Sequence, residues 1–360
     1  MLPPPKPPKA PAPSHDGLED DLLLSLPKPP LAPAPERAFV LPEGCDQVLH
    51  LMGATTLSEF LAFVRERVDL SALRAEGAAS GDPDAGGNIE MDLTEFWRDA
   101  AAGYRGLADI EAYPAELPGV FPLPGGMQAH CNAFLATSHV QREFNQVPVA
   151  LGMVPLAHLI AVETRLNMTT IAAHSAKIPG GSIADIDLAT LCLPLQAPLR
   201  TLQLLEKNGE TVTFASDQHD QHDVRLLQAR VASASASEIP VRGHVSQTLA
   251  LDIGFPGNVL NVIRFENRLI LNNGYHRALA LLKRGVTHVP AVIQMCRDWD
   301  DVAMLGNAAL YANEAIYVER PRPPLLRDFV DPLLCMSLAV PRVRQYLRIR
   351  YQVETGFFKV

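Results

Sequence analysis

The stretch "LILNNGYHRALALLKRGVTHVPAVI", residues 269–293, decides how this chain is read. An apolar strand at Leu269 to Leu271 stops on Asn272-Asn273-Gly274, and Ala278, Leu279, Ala280, Leu281 and Leu282 then form the core of a helix. Gly285 suits the residue after that helix, and Val286 to Gln294 is a second, β-branched strand. A strand, a glycine turn and a helix start present unpaired backbone N–H groups together, which suits phosphate or another anion. Arg277 adds a planar fork of donors, and His276 adds a group that titrates near neutrality. An Asn-Gly turn before an amphipathic helix is also ordinary turn chemistry, with His276 and Arg277 as braces. Spacing alone leaves both readings open.

Working outward, "NVLNVIRFENRLIL" (258–271) reads as two strands joined at Glu266-Asn267, and "HVSQTLALDI" (244–253) as another. "TLQLLEKNGETVTFAS" (201–216) is a hairpin signal, with Asn208-Gly209 suited to a type I′ turn. Near the C-terminus Leu347, Ile349, Tyr351 and Val353 alternate with Arg348, Arg350, Gln352 and Glu354, the pattern of a half-buried strand. On the N-terminal side Thr56-Leu57-Ser58-Glu59 is a capping box before a helix over about 57–69. Asp92-Leu93-Thr94-Glu95 repeats the pattern ahead of Phe96, Trp97 and Ala100, and residues 114–127 are broken by prolines and glycines into a connecting segment. The expectation is an α+β protein: a tail over 1–42, a helical N-terminal region over 43–128 and an α+β domain over 129–360.

Composition narrows the classes. In 360 residues, 48% hydrophobic and 20% charged composition suits a packed core. The first 42 residues hold 13 of the 31 prolines, so this tail is expected to be extended, solvated and disordered, and able to recruit a protein partner. "DLLLSLP" is too short for a secretory signal, and the longest apolar run, Val147 to Val162, is broken by Pro148, Pro155 and His158, so no membrane span is expected. Five separated cysteines without a CxxC pair give neither a zinc knuckle nor a disulfide framework, which makes a cytoplasmic setting the expectation. A net charge of −9 disfavours bulk adhesion to nucleic acid.

The order of strand, Asn267 turn, Arg268-Leu-Ile-Leu-Asn-Asn-Gly-Tyr-His-Arg, helix, Gly285 and Val289-Pro290 strand resembles the core of the ParB/sulfiredoxin superfamily, over about residues 241–295. That resemblance implies a mixed ParB/sulfiredoxin-like core and a nucleotide-phosphate site at the turn, with ATP or CTP and Mg²⁺ as the implied cofactors. Asn272, Asn273, Gly274, Tyr275, His276 and Arg277 would be the ligand-binding residues, and His276 and Arg277 the candidates for catalysis. Tyr275 stands where the sulfiredoxin branch has its cysteine, and a tyrosine cannot perform that thiolate chemistry. Tyr275-His276 also replaces the Glu-Arg of the partitioning branch, whose DNA-reading motif is not seen after residue 295. Asn272-Asn273 occupies the place where a kinase of this type often has Asp. The expected function is a regulatory module binding a nucleotide or phosphorylated small molecule. The alternatives are a phosphoryl-transfer enzyme or nuclease on the same scaffold, and a non-catalytic structural or partner-binding protein.

Three other places draw attention. His219 and His222 are three apart among Asp217, Asp220 and Asp223; they could share a metal or belong to a turn and helix cap, and without a third His or Cys no metal site is assigned. His130-Cys131 is a nucleophile pair on paper, although adjacent residues rarely point the same way. Arg342, Arg344, Arg348 and Arg350 make a basic strand read as a solvated face, and "ERPRPPLLRDFVDP" (319–332) is expected to pack as an ordered strap.

Overall fold

The computed structural model describes residues 41–70, 89–114, 118–196, 201–216, 225–233, 246–255, 257–305 and 307–358. Its strands are β1 Cys45–Leu51, β2 Val149–Pro155, β3 Ile160–Ala161, β4 Arg165–Asn167, β5 Leu202–Lys207, β6 Thr211–Ser216 and β7 Arg225–Ser233, then β8 Gln247–Gly254, β9 Asn261–Phe265, β10 Arg268–Asn273, β11 His288–Cys296, β12 Cys335–Pro341 and β13 Tyr346–Arg350. Its α-helices are α1 Leu57–Arg67, α2 Ile89–Ile110, α3 Gln128–Leu135, α4 Ser138–Glu143, α5 Met168–Ser175, α6 Asp185–Cys192, α7 Tyr275–Lys283, α8 Trp299–Met304 and α9 Ala308–Ala312. The fold is α+β.

A five-stranded mixed sheet ordered β2-β11-β9-β10-β3 carries the centre. Both phases of its pleat are apolar, because both faces are covered. Val262, Leu269, Leu271, Ala291 and Ile293 join one cluster together with Ala278, Leu279 and Leu281 of α7. Ile263, Phe265 and Ile270 point the other way and join Tyr317 and Leu325 in a second cluster. The β9–β10 hairpin turns at Glu266, whose φ of +50° is left-handed, and Asn267, as the spacing predicts. β11 follows α7 and pairs parallel to β9, so α7 packs over the sheet between two strands that it joins in sequence.

The N-terminal region departs from the expected helical layer over 43–128. It opens with β1, which pairs antiparallel with both β12 and β4, so a strand near residue 45 is completed by one near residue 340. Residues 41–360 form one compact unit, with no break at 128/129. The tail expected over 1–42 lies, through Val40, outside the described residues.

Several local expectations are met and others corrected. Thr56 and Glu59 form the reciprocal capping box ahead of α1. Asp92 does not begin a helix, because α2 is already under way at Ile89, and the Thr94 hydroxyl donates to the Glu90 carbonyl at 2.6 Å as it does inside a helix. The 201–216 hairpin forms without a type I′ turn, since neither Asn208 nor Gly209 has positive φ. The Asn208 side-chain oxygen instead accepts from the N–H groups of Glu210 (3.1 Å) and Thr211 (2.8 Å), closing a longer loop. Leu347 and Ile349 are half-buried as the alternation requires, but β13 ends at Arg350, and Tyr351 and Val353 are exposed. Among the described residues no helix is long and apolar enough to cross a membrane.

Candidate functional site

The turn at 272–277 begins where β10 leaves its ladder. The β9–β10 register shifts between Leu271 and Asn273, and Asn272 turns its side-chain oxygen to the Asn307 amide at 2.9 Å. Asn273 accepts from the Gly274 N–H at 2.7 Å and donates to the Gly257 carbonyl. Gly274 then sits at φ +94° as the N-cap of α7, and a Cβ there would stand 3.1 Å from Leu260 Cα. Left-handed backbone and close approach both require glycine. Gly274 offers α7 no side-chain cap, and the first turn holds no acidic residue.

The next three side chains divide between neighbouring elements. Tyr275 is buried; its hydroxyl donates to the Leu271 carbonyl and accepts from the Val162 N–H at 3.2 Å. Burial, with the nearby Glu163 carboxylate acting in the same direction, pushes its pKa far above the usual tyrosine value. His276 is half-buried, and its Nε2 accepts from the Asn167 N–H at 3.1 Å, which places the proton of a neutral ring on Nδ1. Asn167 also caps α5 through Thr169 and Thr170 and donates to Asp46, so His276 ties α7 to the β1–β4 pair.

Arg277 is 4% exposed. Its guanidinium donates to the Cys192 carbonyl at 3.0 Å, where α6 ends, and to the Asn258 carbonyl at 3.2 Å and side-chain oxygen at 2.5 Å. No ion pair with a carboxylate is formed among the described residues, and burial lowers its pKa from the ordinary arginine value. The structure therefore places all six expected residues on one turn. It directs the Tyr275 hydroxyl and the Arg277 guanidinium into the protein, toward backbone oxygens. The partners Val162, Asn167, Cys192 and Asn258 come from distant segments, and no local signal around residues 269–293 pointed to them.

Elsewhere, His130 contacts the Leu193 carbonyl through Nε2 at 2.8 Å while Cys131 is buried with its thiol pKa raised by that burial, so the adjacent pair does not form a nucleophile and base. Burial likewise pushes the Cys192 thiol up to about 12, with Arg277 pulling the other way. Arg342 pairs with Asp46 at 2.9 Å and Arg348 lies 5.3 Å over the Tyr346 ring, which uses much of the basic strand locally. His219 and His222 lie outside the described residues, and among those described no group of His, Cys, Asp and Glu could hold a metal ion. Comparison of the chain with protein-family models, with curated proteins and with solved structures finds no match in any of the three.

Proposed function

We propose that this chain is a non-catalytic nucleotide- or phosphate-binding module of ParB/sulfiredoxin type, with the ligand's phosphate at the start of α7. The observation that carries this is the charge balance of the turn. Arg277 is a buried cation in the first turn of a helix that has neither an acidic residue nor a side-chain cap there. The guanidinium is held by neutral oxygens of Cys192 and Asn258, with no carboxylate on it among the described residues. A buried charge without a counter-charge is unfavourable, and an anion beside the uncapped N–H groups of the first turn would offset it. The order β10, left-handed glycine, α7, β11 supplies the strand–turn–helix context that such a site needs.

A binding role is favoured over turnover because the side chains suited to proton transfer are occupied. His276 Nε2 is taken by the Asn167 N–H and the Tyr275 hydroxyl is buried. Mg²⁺, if it arrives with a nucleotide, would be held by phosphates and water, since hard oxygen ligands are lacking in the first turn. Glu163, exposed and near Tyr275, is the carboxylate that a phosphoryl-transfer or nuclease reading would recruit. The inward bonds of Tyr275 and Arg277 favour the structural reading, in which the turn is only a junction.

Thermal melts of the full chain with ATP, CTP, GTP and inorganic phosphate, with and without Mg²⁺ at constant ionic strength, separate these. A ligand at about 100 times its Kd adds about 2.7 kcal/mol and raises Tm. Arg277→Gln removes both the charge and the reach to the Cys192 carbonyl, so its melting without ligand is compared with the parent first, and it is expected to lose the ligand-induced rise. Flat melts with every ligand would leave the structural junction. Product formed only with Mg²⁺, and lost in Glu163→Gln, would make the protein an enzyme.

A further inference from the structure

A cleft of about 330 Å³ lies between α2, the turn at 53–55 and the strap at 320–322, and shares no residue with the 272–277 turn. It is lined by Thr55, Trp97, Tyr104, Arg105, Arg320 and Arg322 among others, and by no Asp or Glu. We propose that this cleft binds a small organic anion, its carboxylate or phosphate head on the arginines and its apolar body against Trp97 and Tyr104.

Hydrogen-bonding capacity left over in the walls points to this. Arg322 is 3% exposed and is matched by Asp328, which takes both terminal nitrogens, Nη2 at 2.7 Å, while Glu111 lies 3.6 Å away. Its Nε–H is nevertheless buried without a partner, and so is the indole N–H of Trp97. Arg320 makes a long bond to the Ala54 carbonyl at 3.4 Å, and neither it nor Arg105 forms an ion pair among the described residues. These two guanidinium groups without an ion pair face the cleft and suit an acceptor that carries negative charge, while the two unpartnered N–H donors lie buried in the wall behind them. The aromatic rings, Ala101, Ala108 and Pro321 supply apolar wall, and the volume is at the lower end for a small-molecule site. Arg322 also lies 5.6 Å over the Tyr104 ring, which holds the guanidinium plane against the aromatic floor.

Trp97 and Trp299 are the two tryptophans of the chain, so Trp299→Phe leaves Trp97 as sole fluorescent reporter inside the cleft. Titration of that protein with benzoate, phenyl phosphate and inorganic phosphate at constant ionic strength is expected to give a saturable change with an aromatic anion. The tighter of benzoate and phenyl phosphate identifies the head group. Arg105→Ala and Arg320→Ala, at positions exposed enough to keep the fold, should each weaken binding about tenfold or more, in line with loss of a charge-assisted bond. Arg344→Ala, removing an exposed positive charge from outside the cleft, should leave the Kd in place. No saturable change with any probe, or the same Kd in both cleft variants as in the parent, would overturn the proposal.

Discussion

At Gly274 two constraints coincide, a φ of +94° and the Leu260 backbone 3.1 Å from where a Cβ would stand. Gly274→Ala is expected to cost about 1–2 kcal/mol for the left-handed backbone alone, with more from the contact, measured by urea unfolding. Tyr275→Phe keeps the ring and strands the Leu271 carbonyl and the Val162 N–H, both buried, at about 1–3 kcal/mol each. If the turn binds phosphate through its backbone, that variant should lose stability without losing the nucleotide-induced rise in Tm. His50 gives a pH signature. Burial holds its pKa down to about 4, with Arg165 acting in the same direction against the bond to the Leu51 carbonyl, and its ring lies 5.1 Å from Phe60. The unfolded chain, with an ordinary value of about 6.5, takes up the proton first as pH falls. The stability that neutral His50 confers is therefore complete above about 6.5 and is lost progressively down to about 4, by about 3 kcal/mol in all. Comparing unfolding of the parent and His50→Gln across that window should show the parent falling more steeply; equal slopes would refute it.

Among the elements, the strap after α9 illustrates how much local sequence can carry. Its prolines and apolar residues predict an ordered segment, and Leu325, Leu326 and Phe329 are indeed buried. The buried Arg322–Asp328 pair inside it, which also lets Asp328 accept from the Leu325 N–H at 2.8 Å, depends on the strap folding back on itself. Asp328→Ala should cost about 3–5 kcal/mol, because it leaves a buried guanidinium short of its counter-charge; a loss below 1 kcal/mol in chemical denaturation would count against that. The α1 cap, the β9–β10 hairpin and the β10–α7–β11 succession were legible for the same reason: each is set by residues a few positions apart. The start of α2 was misread because Asp-x-x-Glu patterns also occur inside helices, and the Asn208 loop because one side chain can close a hairpin in more than one way.

For the molecule as a whole, β1 and β12 join the two ends of the 41–360 unit, and β4 joins them in turn to the middle. Removing residues 335–358 should therefore unfold more than the last strands. Trp97 and Trp299 lie in different parts of the sequence, so their fluorescence should report coincident transitions in the parent protein and jointly lost structure in the truncated one. Two separate transitions would contradict a single cooperative unit. Local chemistry determined where the central strands, the glycine turn and α7 fall, because hydrophobic period, caps and glycine backbone are encoded within a few residues. Which way Tyr275, His276 and Arg277 face was decided only when Val162, Asn167, Cys192 and Asn258 arrived beside them. The same holds for the arginine cleft, whose walls come from residues 53, 97 and 322. Burial, charge balance and hydrogen-bond capacity are properties of what surrounds a side chain, and those surroundings exist only once the chain has closed.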